Sequence, residues 1–210
     1  MRFRTLILLV AATALPLAFI STVGSSAASA KTKGTTKTKK TTFTLSCDTG
    51  IANGDVSVTT TQTYPKSVAA GATFTIQWSS VTTVEGTLAS AAYGIAPGGS
   101  EKGTVTTDDD LSTDATPSTQ NVAGSSGIPE EGTISSPKSF PIYTPPQGSS
   151  PGYFTTQSFT AGSKGKEKIS AGDDDANVTI YNSSGGEVTT TTADCTPVGK
   201  PKVIATIKVT

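Results

Sequence analysis

Two cysteines and two runs of aspartate are the residues with the most chemical capacity in this chain of 210. Cys47 and Cys195 form an even pair with no third thiol beside them, and behind an export leader such a pair is expected to be a disulfide. The loop it closes is about 150 residues long, for which chain entropy gives roughly 5 kcal/mol as an upper figure. Zinc is the poorer use of the pair: the chain has no histidine, so two carboxylates would have to join two distant thiolates. Asp108, Asp109 and Asp110, followed by Asp114, make one acidic run; Asp173, Asp174 and Asp175 make the other. Adjacent carboxylates in a loop supply the hard oxygens that calcium takes at the edges of extracellular β domains. The spacing fits no defined calcium loop, since Asp173 to Asn177 lacks the alternation, glycine and distal glutamate of the helix-loop-helix motif. Solvated turns are the simpler reading, and calcium is the one cofactor the sequence admits.

Catalytic tools are scarce. Without histidine there is no imidazole base, and with both cysteines oxidised there is no thiolate nucleophile. Ser163 and Lys164 adjoin in a glycine-flanked loop that leaves the ammonium in water. Glycoside hydrolysis needs two carboxyls across a cleft, and no pair stands out for it. The chain is therefore read as non-enzymatic. Tyr64, Tyr93, Tyr143, Tyr153 and Tyr181 lie near turns and could stack on a sugar, whereas Trp78 falls in an alternating strand and is read as core. Lys31, Lys33, Lys37, Lys39 and Lys40 put five positive charges within ten residues, enough to hold a protein near anionic cell-wall or surface polymers. No aromatic residue interleaves with them, so specific nucleic-acid binding is not indicated. Asn177-Val178-Thr179 and Asn182-Ser183-Ser184 match the glycosylation acceptor pattern.

The elements that must position these residues begin with a leader. Arg2 and Arg4 precede an uncharged run from Thr5 to Ile20 and a small-residue stretch ending Ala28-Ser29-Ala30, the order of a cleaved secretory signal peptide over residues 1–30. Residues 31–42, lysine and threonine with one glycine, are expected to be a flexible arm. Beyond Phe43, nine positive charges face all 16 acidic residues, a formal charge of −7 that the overall balance of zero conceals. No segment after the leader is long and apolar enough to span a membrane.

Residues 43–210 are expected to form one all-β domain. Phe43, Leu45 and Cys47 alternate, as do Phe74, Ile76 and Trp78, and threonine, valine and isoleucine suit pleated strands. Asn53-Gly54-Asp55 is expected to turn the chain between the first two strands, and Ser184-Gly185-Gly186 to form a later hairpin. Val84 to Ile95 is read as strand or irregular structure because Gly86 and Gly94 weaken a helix. In the glycine- and serine-rich stretch from Ala96 to Pro137, Thr104-Val105-Thr106 and Gly132-Thr133-Ile134-Ser135 are the plausible strands. Pro141 confines Ser139 to Tyr143 to a sheet edge or a bulge. Seven to ten such strands imply a two-sheet, immunoglobulin-like β-sandwich, its disulfide tying the first strand to the segment before the last.

Thr44-Leu45-Ser46-Cys47, Pro65-Lys66-Ser67-Val68-Ala69-Ala70-Gly71 and a closing Cys195-Thr196-Pro197 followed by Val203 to Val209 are landmarks by which the chain resembles secreted β-sandwich domains of unknown function found in actinobacteria. That resemblance implies a sandwich and an extracellular or envelope location, and it carries over no catalytic residues. The functional expectation is an exported structural or interaction protein of the cell envelope, with an extracellular carbohydrate- or small-ligand-binding module as the alternative.

Overall fold

A computed structural model describes residues 35–111, 119–121, 127–147 and 155–210. Long strands dominate it, for the reason the alternation suggests. Along β2 (Asn53–Pro65), Val56, Val58, Thr60, Gln62 and Tyr64 are buried while the residues between them are not. Its neighbour β1 (Thr36–Asp48) buries Leu45 and Cys47 in the same way. Threonine covers the outer face, where hydroxyls meet across strands at Thr38–Thr63 and Thr42–Thr59, 3.0 and 2.9 Å apart. β-Branched side chains favour this pleated, half-buried setting.

The remaining elements are β3 (Ser67–Val68), β4 (Thr73–Glu85), α1 (Gly86–Ile95), β5 (Ser100–Leu111), β6 (Thr119–Asn121), β7 (Ile128–Thr133), β8 (Ser139–Thr144), β9 (Thr155–Thr160), β10 (Gly165–Tyr181), β11 (Glu187–Pro197) and β12 (Val203–Val209). Hydrogen-bonded neighbours run β10-β11-β1-β2-β4-β8-β7-β5, and β5 then pairs with β10. The ring is an eight-stranded antiparallel barrel. This corrects the expected two-sheet sandwich: alternating strands serve either architecture, and the pairing of β5 with β10 closes the sheet on itself.

Below the ring the long strands change partners. β9 replaces β8 beside β4, and β12 replaces β11 beside β10. Between them lies a second apolar cluster that includes Tyr64, Ile76, Ile169 and Ile207, with Phe74 stacked on Phe159 at 5.5 Å. The first cluster fills the barrel around Leu45, Val58, Phe140 and Ile180, and α1 packs over that end through Leu88 and Ala89. A Cβ on Gly54 would lie 3.2 Å from Leu88 Cγ, so the absence of a side chain there lets α1 sit close against β2.

Several local expectations are corrected. Residues 36–42, assigned to a flexible arm, pair with β2 along their length, because β2 is long enough to offer partners out to Pro65. Lys37, Lys39 and Lys40 are thus strand residues, while Lys31 and Lys33 lie outside the described residues. The turn after β1 is Thr49–Ala52, not Asn53-Gly54-Asp55: Asp48 Oδ1 accepts from the Gly50 amide, and the Thr49 hydroxyl donates to the Ala52 carbonyl. Gly86 to Ile95 is helical, since Gly86 at φ 58° breaks the strand and the alanine-rich segment after it propagates a helix. β8 is an interior strand despite Pro141; its ladder to β7 holds only Glu131↔Tyr143 and Gly132↔Ile142, so the missing donor falls beyond the paired stretch. The hairpin at Ser184-Gly185-Gly186 is as expected, with Asn182 Oδ1 accepting from the Ser184 and Gly186 amides. Among the described residues, no helix is long and apolar enough to cross a membrane.

Cys47 and Cys195 are directly opposed in the β1–β11 ladder and joined as a disulfide across 148 residues of sequence. That ladder has four residue pairs, Leu45↔Pro197 to Asp48↔Asp194. Replacing both cysteines by serine should lower stability by about 2–5 kcal/mol. Urea unfolding of the oxidised protein and the double variant measures this, and equal midpoints would show that the seam holds without the bond.

Candidate functional site

Inside the ring is a cavity of about 130 Å³. Its walls are mostly apolar, including the aliphatic Val58, Val84, Ile134 and Ile180 and the ring of Phe140. Ile51 in the β1–β2 turn and Ile95 at the end of α1 also line it, yet stay 41% and 36% exposed, which marks the mouth between that turn and the helix. The disulfide forms part of the wall.

Cross-strand register stacks the interior in tiers. Near the mouth, Val56, Val84 and Phe140 are neighbours. The next tier runs Val58, Thr82, Ile142, Gly132, Glu101 and Ile180. A third is largely polar: Thr41, Thr60, Ser80 and Thr144 on successive strands, then Glu130, Gly103 and Val178. Trp78, Val105 and Ile128 close the floor as an apolar cluster.

Glu101 and Glu130 give this interior its chemistry. On β5 and β7 each glutamate faces a glycine: Glu101 opposes Gly132, and Gly103 opposes Glu130. The reciprocal arrangement leaves room for two carboxyls on adjoining strands. At Gly103 a Cβ would come within 2.3 Å of the Asn177 carbonyl oxygen and 3.3 Å of Glu130 Oε1; at Gly132 it would meet the Pro141 carbonyl oxygen at 2.7 Å. Glu101 is 3% exposed, and neither of its oxygens has a hydrogen-bond donor among the described residues. Burial pushes its carboxyl up to about 9, and the charges of Glu130 and Glu131 push the same way. Glu130 rises to about 7, first through burial and then through the charge of Asp174, against the hydrogen bond donated by the Thr144 hydroxyl at 3.5 Å. Lys102 gives no compensation inside, because its ammonium pairs with Glu131 on the outer face at 3.1 Å. Thr41 Oγ1, Thr60 Oγ1, Gln62 Oε1 and Trp78 Nε1 are likewise buried without a partner among the described residues.

Comparison with family models, curated proteins and solved structures finds no match. The interior therefore has to be read from its own chemistry. Two buried carboxyls in an aliphatic chamber can accept hydrogen bonds, hold protons or neutralise a cation. Among the described lining residues there is no lysine, arginine or free thiol.

The residues singled out from sequence are distributed differently. Asp173 and Asp175 are exposed on β10, and Asp174 between them lines the cavity. The backbone of Asp108, Asp109 and Asp110 runs at the end of β5 beside β10, with Asp109 opposite Ala171; their side chains lie outside the described residues, as does Asp114. Topology thus brings both aspartate runs to adjacent strands around the β10 bulge, but among the described residues no three metal-ligating side chains converge. Tyr64 is buried and can form no sugar platform, and Tyr153 lies outside the described residues. Trp78 is in the core as expected. The lysine ammonium of Lys39 donates to the Val203 carbonyl at 2.8 Å. Glu101 and Glu130 escaped the sequence reading; the available signal was the repeated pattern Glu101-Lys102-Gly103 and Glu130-Glu131-Gly132, a glutamate and a glycine two apart on one strand face.

Both raised carboxyls keep a proton in the folded protein where the unfolded chain, near 4.5, has released it. Their contribution to stability is complete below about 4.5 and declines as pH rises through 7 and 9. The melting temperature should therefore fall between pH 5 and pH 9 by roughly 5 °C or more. Glu101→Gln should flatten the decline; an equally steep profile in that variant would contradict the assignment. Gly103→Ala should destabilise by about 1–3 kcal/mol through overcrowding, measurable by urea unfolding.

Proposed function

We propose that this protein is an exported, non-enzymatic binding module whose barrel encloses one small, largely apolar ligand. The observation that carries the reading is the cavity of about 130 Å³ lined by aliphatic side chains and open between Ile51 and Ile95. An eight-stranded barrel is just wide enough to be filled by side chains or to hold one small molecule. An apolar cavity of about 150 Å³ takes up a single benzene ring, so the scale here is one ring or a short alkyl chain. Export is supported by the leader and by the disulfide, which suits an oxidising compartment.

Retention at the envelope by Lys31, Lys33, Lys37, Lys39 and Lys40 has less support. It relied on a flexible arm, whereas three of those lysines belong to β1 and one is bonded to a carbonyl. Carbohydrate binding also draws little from a chamber whose upper walls are aliphatic.

Toluene, at tenfold excess over its dissociation constant, should raise the melting temperature by about 3–5 °C. Val178 faces Gly103 across the β5–β10 ladder, so Val178→Phe would place a ring in the open volume and remove the shift. No shift at the solubility limit of toluene would overturn the reading.

A further inference from the structure

The cavity is apolar at its mouth and polar at its depth, and the polar end is built from acids. Glu101 lies on β5 at 3% exposure, with no donor to either carboxyl oxygen among the described residues. Glu130 on β7 lies on the adjoining strand, its register partner Gly103 being two residues along from Glu101, and it accepts a hydrogen bond from the Thr144 hydroxyl. Asp174 of β10 lines the same chamber. Thr60 Oγ1 and Thr41 Oγ1 on the far strands leave further hydrogen-bonding capacity in the tier that contains Glu130. No described lining residue carries a positive charge, and Lys102 is turned outward to Glu131. A protein that only needed a packed barrel would be better served by apolar residues at these positions, because an unpaired buried carboxyl is costly in any protonation state. The group that would satisfy both oxygens of Glu101 is a donor with several N–H bonds and a positive charge.

We propose that the acidic end of the cavity receives a protonated amine carried on a small apolar body, with Glu101 as the principal acceptor and Glu130 and Asp174 adding negative potential. The inference rests on the reading of the interior as a ligand site and names the ligand class. The apolar part lies towards Ile51 and Ile95, and the ammonium leads into the barrel. The acidic body, with a formal charge of −7 beyond Phe43, favours the approach of a cation. Binding also moves a proton. The Glu101 carboxyl, raised by burial and by Glu130 and Glu131, is protonated in the empty protein near neutrality, so an arriving ammonium displaces one proton to solvent. Inside the barrel the described groups that face Glu101 and Glu130 are the Thr144 hydroxyl on β8 and Asp174 on β10, while Glu131 acts on Glu101 from the outer face of β7, where it pairs with Lys102. No described residue lining the chamber is cationic, so affinity for the amine rises from pH 6 to pH 8.5, while affinity for a neutral analogue does not.

The test is calorimetric titration of the disulfide-bonded protein in phosphate buffer with toluene, benzyl alcohol and benzylamine, at pH 6 and pH 8.5. The expected result is benzylamine binding at least tenfold more tightly than benzyl alcohol at pH 8.5, with a smaller advantage at pH 6. In Glu101→Gln that difference between the two ligands disappears. Should the variant fail to fold, the pH dependence of the wild-type ratio carries the same information. Toluene and benzylamine binding alike at both pH values would overturn the amine assignment and leave the apolar site standing. Failure of all three to bind would overturn both.

Discussion

The ladder between β5 and β10 joins Ser100–Thr107 to Tyr181–Asp174 and continues past a bulge to Leu111 and Ile169. With it, eight strands become a ring; without it, the same strands are an open curved sheet with a wet concave face. The enclosed chemistry depends on that difference. Glu101 and Glu130 are biased towards their protonated forms because they are removed from water, and they are removed from water because β5 has neighbours on both sides. β10 can serve three partners because it is 17 residues long and its register shifts let it bend away from β12 towards β11. Bulges of this kind raise local twist and re-aim side chains, and Asp174 at this one is directed to the interior.

The polar depth of the barrel runs against ordinary packing. A tier with Thr41, Thr60, Ser80, Thr144 and Glu130 weakens a core that aliphatic residues would strengthen, and hydroxyls without partners are a departure from the usual saturation of buried polar groups. Such departures concentrate where a structure has a task besides staying folded. Below the tier the apolar floor of Trp78, Val105 and Ile128 and the cluster around Ile169 and Ile207 supply conventional packing, so cohesion and polarity occupy different levels of the same strands.

Much of this was legible in the sequence, and what was not has physical causes. Alternation at Phe74, Ile76 and Trp78 located a core strand, and the even cysteine pair located the bond between β1 and β11. Alternation reports which face is buried and is silent on which strand lies beside which, so barrel and sandwich were indistinguishable by it. The deciding strand, β5, lies in the glycine-rich stretch where only Thr104-Val105-Thr106 stood out, since Glu101 and Gly103 break the apolar pattern that marks a buried face. The same break hid the candidate site: a glutamate on a strand reads as solvent-facing unless the opposing residue is known, and here it is a glycine supplied by another strand. Lysines in residues 31–42 misled for the converse reason, because a polar segment joins a sheet when a long partner strand offers it backbone hydrogen bonds.

The seam at Cys47 and Cys195 joins parts of the chain 148 residues apart. Loop-closure entropy makes such distant pairings late events, and sheets dominated by them assemble slowly. β1 meets β11 only after the strands between them in sequence exist, so its second edge is covered late. The chamber therefore has no existence until the strands that enclose it have paired. Its volume, its shielded acids and any occupant belong to the finished chain alone.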